Sequence, residues 1–278
     1  MPRLPRLTGA CRLRRGSANQ GTGAALEIED NSVPKGKPFL LLSSRAHDPA
    51  ADGEFLQVLQ VGSLEPHQLD WRRLEQAPLG EFDLDNYSGV LLGGSDYCAS
   101  ETDKSELQLR VEADMDRVLG QALARDFPFL GMCYGIGIVT QHLGGKVDKT
   151  YSEAVGAVEV TLTKDGQADP LLQDCPDSFW AFVGHKEAAN GTPPGATILA
   201  TGQACPVQIF RVGRNVYASQ FHPELDAAGL AQRIIIYQHS GYFRPDEVEA
   251  LIAAAEVAPV NGAQHLLLAN FIRYHLVD

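Results

Sequence analysis

The sequence predicts an α/β fold of three layers, a mainly parallel central sheet flanked by helices, with a helical extension at the C-terminus. Two observations carry that expectation. Short runs that are apolar at every position, rather than at alternate ones, mark strands buried on both faces. Helical patterns sit between these runs with short connections, which is the β–α–β order of a parallel sheet.

The first strand is expected at residues 39–43, where Phe39, Leu40, Leu41 and Leu42 follow Pro38. A second spans 89–92 and ends in Gly93, Gly94 and Ser95. From about 104 to 124, Leu107, Val111, Met115, Val118, Leu119 and Ala122 recur at threes and fours, the stripe of an amphipathic helix. Residues 127–132 form the third buried run, and 135–143 read as a helix closed by Gly144 and Gly145. The middle differs in texture. Residues 155–163, 180–183, 197–200, 207–212 and 216–219 are short, β-rich and separated by turn residues, and are expected as further strands, some antiparallel. After Pro223 the pattern turns helical over 227–239, 245–255 and 262–274.

A chain of 278 residues suits one large domain, placed at 38–278 with the helical extension at about 241–278. Residues 1–37 are expected outside the fold. Their first 26 positions carry five arginines and no acid, the signature of a transit peptide, but Pro2 and Pro5 disfavour an early helix and a disordered basic extension fits better. The net charge is −12, so the residues beyond those five arginines sum to −17. A body that acidic repels the phosphate backbone, which argues against a DNA or RNA partner. No apolar run reaches the roughly 18 residues of a membrane-crossing helix, so no membrane role is expected. The five cysteines, Cys11, Cys98, Cys133, Cys175 and Cys205, form no C-x-x-C pair, and a reducing, cytoplasmic setting with no metal site fits them.

The chemistry concentrates at three places. In Gly131-Met132-Cys133-Tyr134-Gly135 a buried strand runs into a helix through a nucleophile-elbow pattern, with Cys where Ser often stands. Glycines either side leave room for the strained turn, and the helix N-terminus behind the sulfur favours the thiolate. The Tyr134 N–H is then placed to stabilise an oxyanion. Alone, Cys133 could equally be a small buried hydrophobe. His222-Pro223-Glu224 ends a predicted strand, where residues two apart face the same way, so a carboxylate can orient the imidazole as a general base. Alone, it reads as a polar strand end. Gly93-Gly94 also ends a strand, and the Gly94 N–H is the candidate second oxyanion donor.

Taken in this chain order, the Gly-Gly strand end, the cysteine elbow and His-Pro-Glu resemble the class I glutamine amidotransferase family over about residues 38–240. Gly184-His185-Lys186-Glu187-Ala188 and the segment 206–212 resemble the subgroup typified by the glutaminase domain of GMP synthase. The resemblance implies a Cys133 nucleophile forming a γ-glutamyl thioester, His222 as base and acid, Glu224 as orienter, and an oxyanion hole at Gly94 and Tyr134. It implies substrate contacts at Gly93, Gly137 and His185. Covalent cysteine chemistry on an amide needs no cofactor or metal. One departure stands out: where the family usually carries Gln after the elbow this chain has Gly137, which leaves more room and fewer polar contacts. Three functions follow: a glutaminase supplying ammonia to a separate ATP-dependent synthetase chain, a stand-alone γ-glutamyl hydrolase or peptidase, and a non-catalytic binding module.

Overall fold

The computed structural model describes residues 36–276. The basic extension expected over 1–37 therefore lies outside the described residues, apart from Gly36 and Lys37. In chain order the strands and helices are β1 (Phe39–Ser44), α1 (Asp48–Gly62), β2 (Leu69–Arg73), β3 (Gly89–Ser95), α2 (Glu106–Arg125), β4 (Phe129–Met132) and α3 (Tyr134–His142). There follow β5 (Val147–Asp148), β6 (Glu153–Leu162), α4 (Lys164–Gln167), β7 (Ser178–His185), β8 (Ala188–Ala189), β9 (Ala196–Gly202), β10 (Ile209–Val212) and β11 (Val216–Ser219). Three helices, α5 (Ala227–Ile236), α6 (Val248–Glu256) and α7 (His265–His275), complete the fold.

Nine strands make one sheet in the order β2-β1-β3-β4-β11-β10-β9-β6-β7. The half from β2 to β11 is parallel, and its central strands β1, β3 and β4 are buried along their whole length, as their unbroken apolar runs require. From β11 to β7 every pairing is antiparallel. Strands β6 and β7 at that end alternate burial and carry the turn-rich middle of the sequence. A separate ribbon of β5 and β8 lies beyond α3.

One apolar layer on the sheet contains Val111, Met115, Val118, Leu119 and Ala122 of α2, packed with Leu40, Leu42 and Leu92. Helix α2 starts where the Ser105 hydroxyl accepts the Gln108 N–H, and stops at Asp126, which adopts the left-handed conformation (φ 47°). The opposite layer contains Phe39, Leu41, Val58, Leu268 and Phe271. Helix α7 is thus part of the main core rather than an appendage. The α5–α6 pair forms a smaller cluster of its own, with Leu230, Ile234 and Ala255 against Phe182 of the antiparallel half.

Besides the short β5, α4 and β8, two longer elements were not expected from the sequence, α1 and β2. The inward face of α1 presents Ala50, Ala51, Glu54 and Val58, while its Leu56 is 61% exposed, so the apolar period is broken where it should be strongest. Strand β2 pairs only with β1 at the sheet edge and carries Asp70, Arg72 and Arg73, so it lacks the apolar run of its neighbours. None of the helices among the described residues is long and apolar enough to cross a membrane.

Candidate active site

The parallel strands β3, β4 and β11 bring their C-terminal ends together, the position at which open α/β sheets build ligand sites. Cys133 follows β4 directly and caps α3 with φ 53° and ψ −94°, a backbone geometry that a non-glycine residue rarely holds. Such strain costs on the order of 1–3 kcal/mol and persists only where the surroundings over-determine it. Here they do. The Cys133 N–H donates to the Ser219 carbonyl at 2.8 Å, tying the elbow to β11. A Cβ on Gly131 would lie 2.9 Å from the Gly135 carbonyl carbon, and one on Gly135 would lie 3.1 Å from the Leu92 oxygen. Both elbow glycines are therefore demanded by backbone passing backbone. The Tyr134 N–H opens α3, where no intrahelical acceptor exists for it. Its phenol is buried and donates to Glu112 at 2.7 Å, and burial together with that carboxylate pushes its pKa far up.

The segment after β11 carries His222 and Glu224 into the same place. Cys133 and His222 line one cavity, and His222 Nδ1 stands 2.8 Å from Glu224 Oε1. Burial alone would lower the affinity of His222 for a proton, but Glu224 and Cys133 outweigh it and its pKa is raised. Burial pushes Glu224 toward the acid form, and the attraction of His222 and Arg233 reverses this, holding its carboxyl well below the ordinary range. Arg233 was not anticipated. Its Nη2 donates to Glu224 Oε1 at 2.9 Å, and its Nη1 lies 2.9 Å from His222 Nδ1. That ring nitrogen serves only one of them at a time: protonated it donates to Glu224, unprotonated it accepts from Arg233.

The whole-chain comparisons bear on this arrangement. The profile described as "Glutamine amidotransferase class-I" matches residues 77–236, more than half of the chain. The chain belongs to the class I glutamine amidotransferase family. A glutamine-hydrolysing GMP synthase of Streptomyces coelicolor is 26% identical over 79% of this chain and 42% of its own length. A second, from Neisseria meningitidis, is 24% identical over 76% of this chain and 41% of its own. The chain thus spans less than half the length of these curated relatives. A glutamine amidotransferase structure from Thermotoga maritima superposes with a TM-score of 0.64 at 22% identity, covering 85% of this chain and 97% of that one. A glutamine amidotransferase from Methylobacillus flagellatus gives 0.62 at 18%, covering 88% and 97%.

The other positions the sequence singled out take parts in this class I amidotransferase chain that were not expected of them. The Gly94 N–H does not face an open site: it donates to Glu54 Oε1 at 3.1 Å. The physical reason is that the fully buried Glu54 carboxylate needs donors, and it gathers Ser43 Oγ at 2.8 Å, Arg45 Nε at 2.9 Å and the Gly94 N–H. Gly93 serves the same group, since a Cβ there would lie 2.4 Å from Glu54 Oε2. The room expected beside Gly137 is largely occupied. A Cβ at that position would be 3.3 Å from Ala99 Cβ and 3.7 Å from Glu187 Oε1, and the Glu187 carboxylate clamps the N–H groups of Ala99 and Ser100. His185 borders a second cavity, with Cys133, Tyr134 and Gly137, but both of its nitrogens are engaged, by the Glu187 carbonyl and the Glu153 carboxylate, each at 2.9 Å. It is a fixed wall rather than a free ligand.

The ion pair of Arg45 and Glu54 is buried on both sides, at 4% and 0% side-chain exposure. Glu54→Ala leaves an unpaired guanidinium in the core, at a cost of about 3–5 kcal/mol. For a domain of this size the expected drop in melting temperature is roughly 10 °C, read by circular dichroism.

Proposed function

We propose that this chain hydrolyses the γ-carboxamide of glutamine or of a γ-glutamyl compound through Cys133, His222 and Glu224. The observation that carries this reading is the strained Cys133 elbow standing beside a His222 whose ring is already oriented by Glu224. Cys133 Sγ attacks the γ-carbonyl carbon, and the oxyanion forms near the Tyr134 N–H. Collapse of the tetrahedral species breaks the C–N bond, and the amine leaves with the proton held on His222 Nε2. Water then gives a proton to His222 and attacks the thioester, releasing glutamate and regenerating the thiol. The Gly94 N–H joins the oxyanion hole only when the strand end releases Glu54, so Tyr134 is the resident donor in this reading.

Delivery of the ammonia to a separate synthetase is a second reading, supported by the names of the relatives, which are GMP synthases. It is tested by adding a candidate ATP-dependent synthetase and its substrates and looking for stimulation of glutamine hydrolysis.

An electrophilic glutamine analogue followed by peptide mass mapping tests the first reading. Labelling is expected at Cys133, with Cys98, Cys175 and Cys205 spared. Burial pushes the thiol of Cys175 up to about 11 and that of Cys205 up to about 12, and raises that of Cys98 as well, so little thiolate exists at neutral pH. Labelling at any of these three in preference to Cys133 would remove the basis of the assignment.

A further inference from the structure

The cavities on the two sides of Cys133 differ in chemistry. One, of about 30 Å³, is bordered by Tyr134, Gly137, His185 and Glu187 and lies on the elbow-helix side. The other, of about 60 Å³, includes His222 and is walled by Val155, Val183, Leu225, Leu230, Ile234 and Phe243. If the hydrolase reading holds, chemistry assigns the sides. The carbonyl oxygen turns to the Tyr134 N–H, and the departing nitrogen must meet the His222 proton. The larger, apolar cavity therefore receives whatever is attached to the leaving nitrogen. Ammonia needs no such space. One water needs about 10–15 Å³ of such volume, so this cavity has room for about four or five non-hydrogen atoms.

Its charged lining is specific. Arg233 is neutralised by Glu224, and Asp96 lies against the Tyr237 hydroxyl. Arg45 is 3% exposed, and its guanidinium spends Nε on Glu54 and Nη1 on Tyr237, leaving Nη2 buried with no partner. A buried charged donor without an acceptor is costly and calls for one. The place where Nη2 sits matters. A Cβ added to Gly94 would lie 2.3 Å from Arg45 Nη2 and 2.9 Å from His222 Cε1, so guanidinium and imidazole are neighbours across the bare face of Gly94. An amine meeting His222, with a carboxylate one carbon further on, spans that gap.

From this we infer that the His222-side cavity is a leaving-group subsite for an amino acid, Arg45 Nη2 taking its carboxylate and the apolar wall its side chain. The substrate class is a γ-glutamyl dipeptide with a small apolar C-terminal residue, such as γ-glutamyl-alanine, whose alanyl part beyond the nitrogen has five non-hydrogen atoms. The bond broken is the γ-amide C–N bond. Water supplies the hydroxyl to glutamate and the proton to the released amino acid, so no co-reactant is needed.

The test compares kcat/KM for γ-glutamyl-alanine, γ-glutamyl-isopropylamide, in which a methyl group stands in place of the carboxylate, and glutamine. The wild-type protein is expected to favour the alanine compound over the isopropylamide by about 10- to 100-fold, the usual worth of a charge-assisted hydrogen bond. Arg45→Lys keeps a cation for Glu54 but loses Nη2, and should cut that ratio about tenfold. Labelling of Cys133 by the glutamine analogue shows that the variant is folded. Equal wild-type turnover of the two amides, a ratio unchanged in Arg45→Lys, or glutamine as much the best substrate each overturns the subsite while sparing the hydrolase. Absence of Cys133-dependent turnover of all three overturns the hydrolase reading and the subsite together.

Discussion

Cys133→Ala is expected to lower γ-glutamyl amide hydrolysis by about 10⁴-fold or more, with the fold and the thermal stability retained. Removing the nucleophile of a triad leaves only what binding and oxyanion stabilisation supply. Stability should hold or rise slightly, because alanine has no sulfur to fit at this strained turn, though it inherits the positive φ. Ammonia or amine release is measured by a coupled glutamate assay. A variant retaining a tenth of the activity would assign the chemistry to another group. Substituting Cys98, which borders the neighbouring cavity, is the control.

Glu224→Gln should cost about 10³- to 10⁴-fold in kcat, by analogy with the loss of the orienting acid in other triads. The pH profile carries the sharper information. In a thiolate–imidazolium pair the alkaline limb reports His222 losing the proton that the leaving amine requires. Glu224 raises the proton affinity of His222 and Arg233 lowers it. The alkaline limb therefore moves to lower pH in Glu224→Gln and to higher pH in Arg233→Met. Opposite shifts would be hard to obtain from general structural damage. Shifts in one direction, or none, would mean that Arg233 only props the Glu224 side chain in place.

Much of this was written locally in the chain. The runs at 39–43, 89–92 and 127–132 became central strands because burial on both faces excludes polar side chains that lack a buried partner, and Ser43, the one polar side chain among them, has one in Glu54. The elbow and His-Pro-Glu were legible because their geometry is set within five or three consecutive residues, but the expected strand period is not what aligns the second pair: β11 stops at Ser219, and a turn over Pro223 and Glu224 brings the carboxylate onto the His222 ring. The apolar stripe of α2 worked for the same reason from Val111 to Ala122, its neighbours being three and four positions away, whereas its expected first member, Leu107, is exposed and Gln108 takes the buried place in that turn.

The tertiary structure decided the rest, and the reason is distance along the chain. Glu54 reads as a surface residue that spoils a helical stripe until Gly94, 40 positions later, brings its N–H to the carboxylate. Arg233 lies on a helix face between Leu230 and Ile234, an anomaly visible in the sequence, but only folding shows that it bridges Glu224 and His222, 9 and 11 residues before it. The partner of the Gly94 N–H, the crowding at Gly137 and the engagement of His185 Nε2 by Glu153 likewise depend on segments far apart in sequence. A glycine or a histidine announces what its backbone or ring permits. Which group uses that freedom is settled only when the sheet has brought the strand ends together.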